Sequence, residues 1–138
     1  MVGGVGRYAM THPIILLQSA LVAALRDDPD LDGVGIFDAP PRGASPPYVA
    51  IARHDLLSRD GDAAPGHEHR VTLHVWAGQP SRKVALAIAG RVVAVAGTVA
   101  ATGLAVTHCQ HERTDTAIDG ETGQARAAVA LRFFSEPI

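Results

Sequence analysis

Two pairs of histidines in the chain have the spacing of metal ligands. Four of the seven histidines form the pairs His67-x-His69 and His108-x-x-His111. Residues two apart on a strand share a face, so His67 and His69 are able to bind one zinc ion. A zinc site needs a further ligand, and His74 falls on the opposite face of the same strand. We therefore favour solvent-facing histidines and keep a metal- or ligand-binding enzyme that uses His67, His69 and His111 as the alternative.

Nucleophilic and phosphate-binding chemistry has little support in the sequence. Cys109 follows His108, but neighbours on a strand point to opposite faces, so the two side chains are poorly placed to act as nucleophile and base. Asp60, Asp62 and Glu68 lack the spacing and the later acidic ligand of a calcium loop. The chain has no G-x-S-x-G, Walker or dinucleotide-binding motif. We predict that the protein is not an enzyme and that it binds no cofactor and no metal.

The first histidine pair lies in the stretch around which the chain is organised, residues 66–97. This stretch contains the segment HEHRVTLHVWA. Val71, Leu73 and Val75 alternate there with polar residues and with Trp76. The alternation predicts a strand that is buried on one face and polar on the other, with the single tryptophan on the polar face.

A helix with few charges is predicted to follow this strand. Ser81 is a suitable N-cap, and apolar residues then recur at spacings of three and four, which places them on one side of the helix. They are Val84, Ile88, Val92, Val95 and Val99. The remaining sides carry mainly alanine and valine, and Arg91 is almost the only charge after Lys83. Such a helix is buried on nearly every side, either by the sheet and the first helix or by a neighbouring subunit.

The other predicted elements complete an α+β fold. A helix over residues 11–26 has Thr11 as its N-cap and Pro13 in its first turn, and its apolar spacing is that of an amphipathic helix rather than a signal peptide. Further strands are predicted over residues 34–37, 48–54, 104–113 and 125–134. The order α-β-β-β-α-β-β predicts a mostly antiparallel sheet of four to five strands with two helices packed on one face.

Length and composition limit the organisation of the chain and its partners. The 138 residues most simply form one domain over residues 11–138, preceded by a flexible, glycine-rich arm over residues 1–10. A long polar loop is predicted over residues 55–65. The formal net charge of −2 gives no sign of a nucleic-acid-binding surface. Arg91 and the many small residues of the stretch 84–106 favour a soluble segment over a membrane span.

Several motifs together resemble a known family. The segments GIFDAPPRGASPPYVAI, EHRVTLHVWAG, SRKVALAIAGRV and ALRFFSEP follow an N-terminal helix in this order. This arrangement is similar to that of the tail completion, or tail terminator, family of tailed phages and gene transfer agents. The similarity extends over residues 13–137. Its most distinctive parts are Phe37-Asp38 with the prolines that follow, and residues 70–76.

The resemblance implies an α+β subunit without catalytic residues that forms a ring, usually a hexamer. Such a ring caps the head-proximal end of the tail tube, so its implied partners are other copies of the chain, the tail tube protein and the head–tail connector. DNA passes through the ring without sequence-specific binding. The acidic balance of the chain suits this passage, because adhesion to DNA rises with each phosphate that a protein neutralises. The implied location is the cytoplasm during assembly and then the head–tail junction of the particle, where a different junction component is the neighbouring alternative.

The arm and the long loop are predicted to be assembly segments that become ordered in the ring. Both are rich in glycine or charge and are long for their positions. The predicted assembly contacts are charged residues of the loop and of the second helix, together with the tryptophan: Asp55, Arg59, Asp60, Asp62, Arg82, Lys83, Arg91 and Trp76.

Overall fold

Two helices lie on one face of a five-stranded sheet in the computed structural model, which describes residues 11–59, 66–78 and 80–138. In chain order the elements are α1 (Pro13–Asp27), a 3-10 helix (Pro29–Leu31), β1 (Gly35–Phe37), β2 (Tyr48–Ser58), β3 (His67–Ala77), α2 (Arg82–Ala96), β4 (Leu104–Ile118) and β5 (Ala125–Pro137). The predicted α+β fold and its element order are confirmed. The predicted arm over residues 1–10 lies outside the described residues, as do Asp60 and Asp62.

The strands are arranged in the order β1-β2-β3-β5-β4. Three of the four strand pairs are antiparallel, and β1 pairs with β2 in parallel, so the sheet is mixed rather than purely antiparallel. β4 and β5 form the predicted hairpin, whose turn is closed by hydrogen bonds between Asp119 and Gln124 and between Gly123 and Asp119. In the described part of the chain, no helix is long and apolar enough to span a bilayer.

The hydrophobic core lies between the helices and the inner face of the sheet. In β3 and β5 every second residue is buried, as the alternation predicted. Leu17, Leu21 and Leu25 of α1 cover this face together with the buried side of α2. The opposite face of the sheet, called here the outer sheet face, carries the intervening polar residues and Trp76.

The N-terminus of α1 differs from the prediction by one residue. His12, not Thr11, is the N-cap: its Nδ1 accepts a hydrogen bond from the Ile14 amide at 3.1 Å. An N-cap must reach an amide two or three positions further on, and the helix begins at Pro13, so Thr11 is one position too early.

The buried side of α2 is rotated relative to the predicted valine stripe. Val84 is 41% exposed, whereas Ala85 and Ala89 are buried. Small side chains on the inner side let the helix backbone approach the sheet closely, and the larger Val84 and Leu86 are therefore turned outward. The helix ends at Ala96, so Val99 lies beyond it, while Ser81 caps the N-terminus as predicted.

The predicted loop over residues 55–65 begins later than expected. β2 continues to Ser58, so Asp55 lies within a strand and pairs in register with Arg70. The backbone amide of Arg59 donates to the carbonyl of Gly66 at 2.8 Å, which closes the base of the connection between β2 and β3.

Candidate functional site

A chain of hydrogen bonds joins four side chains from four different elements beneath α1. The side-chain Nε2 of Gln18 lies 3.3 Å from His54 Nδ1. His54 Nε2 lies 2.8 Å from His69 Nδ1, and His69 Nε2 lies 2.8 Å from Ser135 Oγ. We call Gln18, His54, His69 and Ser135 the histidine relay. His69 and Ser135 are buried, and His54 is half-buried. The prediction of solvent-facing histidines is therefore wrong for His69, which shares the buried face of β3 with Val71.

A bulge in β2 brings His54 into the relay. The register between β2 and β3 shifts between Ile51 and Arg53, so that one residue of β2 is skipped. Before the shift Val49 and Ile51 face the core, and after it His54 takes the core-facing position opposite Val71. The period-two pattern predicted from the sequence gives His54 the opposite face, and the sequence contains no signal for the bulge.

Burial keeps both imidazoles of the relay neutral at neutral pH. Loss of hydration lowers the pKa of His54 to about 4, against a weaker opposing effect of Asp55. The pKa of His69 is also lowered to about 4, first by burial and then by the nearby imidazoles of His54 and His67. Both rings are therefore hydrogen-bonding groups rather than charges in the folded protein.

The distances in the relay match those between a nucleophile and its base, but the burial does not. A serine hydroxyl 2.8 Å from an imidazole whose other nitrogen is held by a second group has the geometry of an activated nucleophile. Ser135 is only 2% exposed and His69 is 0% exposed, so no substrate atom reaches the hydroxyl in this conformation. The relay therefore holds α1 and three strands together through side-chain hydrogen bonds.

The alternative metal site does not assemble. Both ring nitrogens of His69 are already used in the relay, and the ring of His67 lies 6.4 Å from that of His69, centroid to centroid. His111 lies on β4 and hydrogen bonds to Thr114. Within residues 11–59, 66–78 and 80–138 no group of three or more His, Cys, Asp or Glu side chains is placed to hold a metal ion. Burial also raises the pKa of the Cys109 thiol, which disfavours the thiolate that a nucleophile or ligand needs.

The outer sheet face carries a buried carboxylate surrounded by arginines. Glu68 accepts from Arg59 Nε at Oε1 and from Arg70 Nε at Oε2, both at 2.8 Å, and Arg132 Nε lies 3.3 Å from Oε2. The Glu68 side chain is 3% exposed, whereas the Arg59 and Arg70 side chains are about half exposed. The hydrogen bond from Arg70, supported by that from Arg59, lowers the pKa of Glu68.

Further ion pairs extend this pattern across the same face. Asp115 contacts Arg113 at 3.0 Å and Arg126 at 3.2 Å, and Arg132 also reaches Glu112 at 3.1 Å. The predicted assembly residue Asp55 pairs with Arg53 at 2.9 Å. Carboxylates thus alternate with guanidinium groups over the outer sheet face.

The predicted assembly residues lie in three different places. Arg59 and Trp76 are on the outer sheet face, where Trp76 is half-buried between Tyr48 and Arg126 in register. Arg82 and Lys83 are exposed in the first turn of α2. Arg59 lies beside Glu68, at the opposite end of β3 from Trp76, so of these residues the structure brings together only Arg82 and Lys83.

Arg91 is committed to a contact inside the chain. Its Nε and one terminal nitrogen donate to the two carboxylate oxygens of Asp28 at 2.6 and 2.9 Å, and Asp30 lies 3.4 Å away. The carboxylate of Asp28 is buried, and the hydrogen bond from Arg91 lowers its pKa. Asp28, like Gln18, His54 and Ser135, was not identified from the sequence, because a pair separated by 63 residues leaves no local pattern.

The outward side of α2 is apolar and exposed. Leu86 is 44% exposed and Val84 41% exposed, and Ala87, Gly90 and Ala94 lie exposed around them. We call these five residues the α2 outer patch. Arg82 and Lys83 border it at the start of the helix.

Comparison with known proteins relates most of the chain to one family. A family model described as "Tail completion protein gp17" matches residues 19–136. Among the solved structures that match is a chain of the "Virion of native gene transfer agent (GTA) particle", with a TM-score of 0.77 and 21% sequence identity over 91% of this chain and 99% of that chain. At this identity the likeness is one of fold. No curated protein matches the chain in sequence.

Proposed function

The chain belongs to the tail completion protein gp17 family, and we propose that it acts as a tail terminator. In this role identical subunits form a ring of six that caps the head-proximal end of a tail tube and joins it to the connector below the head. The partners are then other copies of the chain, the tail tube protein and the connector. Subunits meet in the cytoplasm and end in the particle at the head–tail junction.

The α2 outer patch is the observation that supports the proposed ring. Leu86 and Val84 are exposed on a helix that has no charge between Lys83 and Arg91, and exposed apolar side chains beside small residues fit an interaction site. Gly90 and the alanines allow close approach of a second backbone. At about 25 cal/mol per Å², burying several hundred Å² of such surface contributes several kcal/mol before association costs. A ring repeats this contact at each interface.

The predicted assembly residues divide between the α2 outer patch and the outer sheet face. Arg82 and Lys83 border the α2 outer patch and supply its polar rim. Arg59, Asp55 and Trp76 lie on the outer sheet face, away from the patch, and fit a contact with a different partner surface. Arg91 contributes through Asp28 by fixing the end of α1 beside α2. We retain Asp60 and Asp62 as assembly residues from the sequence alone.

Mechanical closure requires no catalytic step, and we assign none to this chain. Among the described residues, the serine–histidine pair with nucleophile geometry, Ser135 and His69, is closed off from solvent. DNA passes through the ring without sequence-specific contacts, and the net charge of −2 keeps the overall attraction to phosphates low.

Two variants of matched chemistry test the ring. Leu86→Asp places a charge in the α2 outer patch, and Ile15→Asp places the same charge on α1, where Ile15 is 51% exposed. We expect both variants to fold, because both positions are exposed, and only Leu86→Asp to lower the mass measured by native mass spectrometry from the ring to the monomer. Electron microscopy of particles assembled with Leu86→Asp should show tails unattached to heads. Normal rings and normal particles with Leu86→Asp would overturn the proposal.

A further inference from the structure

The histidine relay connects α1 to the three central strands of the sheet without any charged group. Gln18 comes from α1, His54 from β2, His69 from β3 and Ser135 from β5. Buried polar chains of this kind are stable only when every member has its partner. The bulge that turns His54 inward is therefore a feature that the fold maintains, since an unbulged β2 directs this side chain to the outer sheet face.

The relay forces both imidazoles into the same tautomer. One proton lies between His54 Nε2 and His69 Nδ1. If His54 carries it, the neutral His69 carries its own proton on Nε2 and donates to Ser135. If His69 carries it, the neutral His54 carries its own proton on Nδ1, and the Gln18 side-chain amide must turn over to accept it, because the amide nitrogen is the atom 3.3 Å away. In either case the two neutral rings are protonated at the same type of nitrogen.

A further proton has no stable place in this arrangement. His12, before α1, and His67, on β3, are the other bases near the two rings, and both act against a positive charge there. The adjacent carboxylate, Asp55, lies on the outer sheet face and is paired with Arg53. Ser135 and Gln18 are neutral. A protonated imidazole in the relay is therefore buried without a counter-ion.

We propose that the histidine relay is an acid-sensitive latch that holds the N-terminal half of α1 on the sheet while both imidazoles are neutral and releases it when one of them is protonated. Residues 13–20 contain one fully buried side chain, Leu17. The C-terminal half is anchored more firmly, by Leu21 and Leu25 and by two hydrogen bonds from Arg26 to the Ile36 carbonyl. Opening the first half admits water to the relay at low cost in packing. The latch belongs to a single subunit and operates without a ring.

The tautomers and the titration test the latch in the unmodified protein. In spectra of protein with ¹⁵N-labelled histidine, we expect His54 and His69 to show one common neutral tautomer at pH 7 and to remain neutral down to about pH 5. Different tautomers in the two rings, or titration of either ring near pH 6.5, would show that the relay is not formed.

Hydrogen exchange then tests whether protonation opens α1. Between pH 6.5 and 4, protection factors of the α1 amides in residues 13–20 should fall by up to tenfold per pH unit for each proton taken up and should stay below those of β5, whose exchange follows global unfolding. His54→Gln removes one titrating ring and should reduce this pH dependence. His108→Gln, on the outer sheet face, is the control and should leave it unchanged. Equal protection factors in α1 and β5, or the same pH dependence in His54→Gln, would contradict the latch.

Discussion

Arg91 and Asp28 form a bidentate ion pair that fastens the middle of α2 to the end of α1. Two guanidinium nitrogens meet the two carboxylate oxygens at 2.6 and 2.9 Å, and the carboxylate is buried while the guanidinium remains partly exposed. Asp28 also ends α1, since its backbone amide donates to the Leu25 carbonyl. The ion pair thus fixes the end of α1 beside α2.

Asp28→Asn should lower the melting temperature of the subunit by several degrees at neutral pH. The amide replaces one charged acceptor by a donor that faces Arg91. The hydrogen bond from Arg91 lowers the pKa of Asp28 below its ordinary 3.8, so the wild-type contribution is present above about pH 4 and disappears as the pH falls further. Thermal unfolding at pH 7 measures the effect. Arg53→Gln removes an exposed ion pair and serves as control, with an expected change within about 0.5 kcal/mol. Equal melting temperatures for wild type and Asp28→Asn would contradict a structural role of the pair.

Phe133→Ala should destabilise the subunit far more than Phe134→Ala. Phe133 is completely buried on the inner face of β5, so its removal leaves a cavity and costs about 3–5 kcal/mol. Phe134 lies on the outer sheet face, half-buried beside His108 and Arg132. Phe134→Ala should therefore lower the free energy of unfolding by half of that amount or less. Urea unfolding of the two variants gives both values. Similar losses would mean that the outer sheet face is also a packed interface within the subunit.

The inner faces of β3 and β5 could be predicted from the sequence because regular strands obey a period of two. The inward orientation of the His54 side chain could not be predicted from the sequence. One skipped residue in β2 reverses the alternation, and this bulge depends on the pairing with β3. The predicted buried side of α2 is also wrong in the first turns of the helix. Alanine packs closer to the sheet than valine, and sequence spacing alone does not tell which of the two residue types is buried. The partners of Arg91 and Arg59 are set by tertiary contacts, so the predicted assembly contacts included these two arginines without Asp28 and Glu68, the carboxylates that bind them.

Glu68→Gln should destabilise the subunit more than Asp55→Asn at neutral pH. Glu68 is buried among Arg59, Arg70 and Arg132, and loss of its charge leaves their guanidinium groups repelling one another. The Asp55 carboxylate is exposed and has the exposed Arg53 as its ion-pair partner, so its loss should have little effect. Because the arginines lower the pKa of Glu68 from 4.5, the difference between wild type and Glu68→Gln should shrink below about pH 4. Chemical unfolding at pH 7 and pH 3 measures this; an unchanged difference would contradict it.

Stability should rise with pH between about 4 and 6.5 because His69 is neutral in the folded protein. Burial first, and the neighbouring imidazoles second, lower its pKa from 6.5 to about 4. The unfolded chain therefore binds more protons in this window, and the contribution is complete above pH 6.5 and lost toward pH 4. The slope for this ring is at most about 1.4 kcal/mol per pH unit. Urea unfolding from pH 4.5 to 8 should give a smaller slope for His69→Gln and an unchanged one for His111→Gln. An equal slope in His69→Gln would assign the effect to other groups.

Substitutions at two alanines of α2 distinguish effects on folding of the subunit from effects on assembly of the proposed ring. Ala89 is buried against the sheet, so Ala89→Leu overpacks the core and should cost about 1–3 kcal/mol in urea unfolding of the monomer. Ala87 lies exposed in the α2 outer patch, and Ala87→Leu should leave that free energy within about 0.5 kcal/mol. Because Ala87→Leu enlarges the surface that meets the next subunit in the proposed ring, we expect it to shift the concentration at which rings dissociate, measured by sedimentation. A change in monomer stability without a change in ring dissociation would show that the patch faces the core rather than a neighbouring subunit.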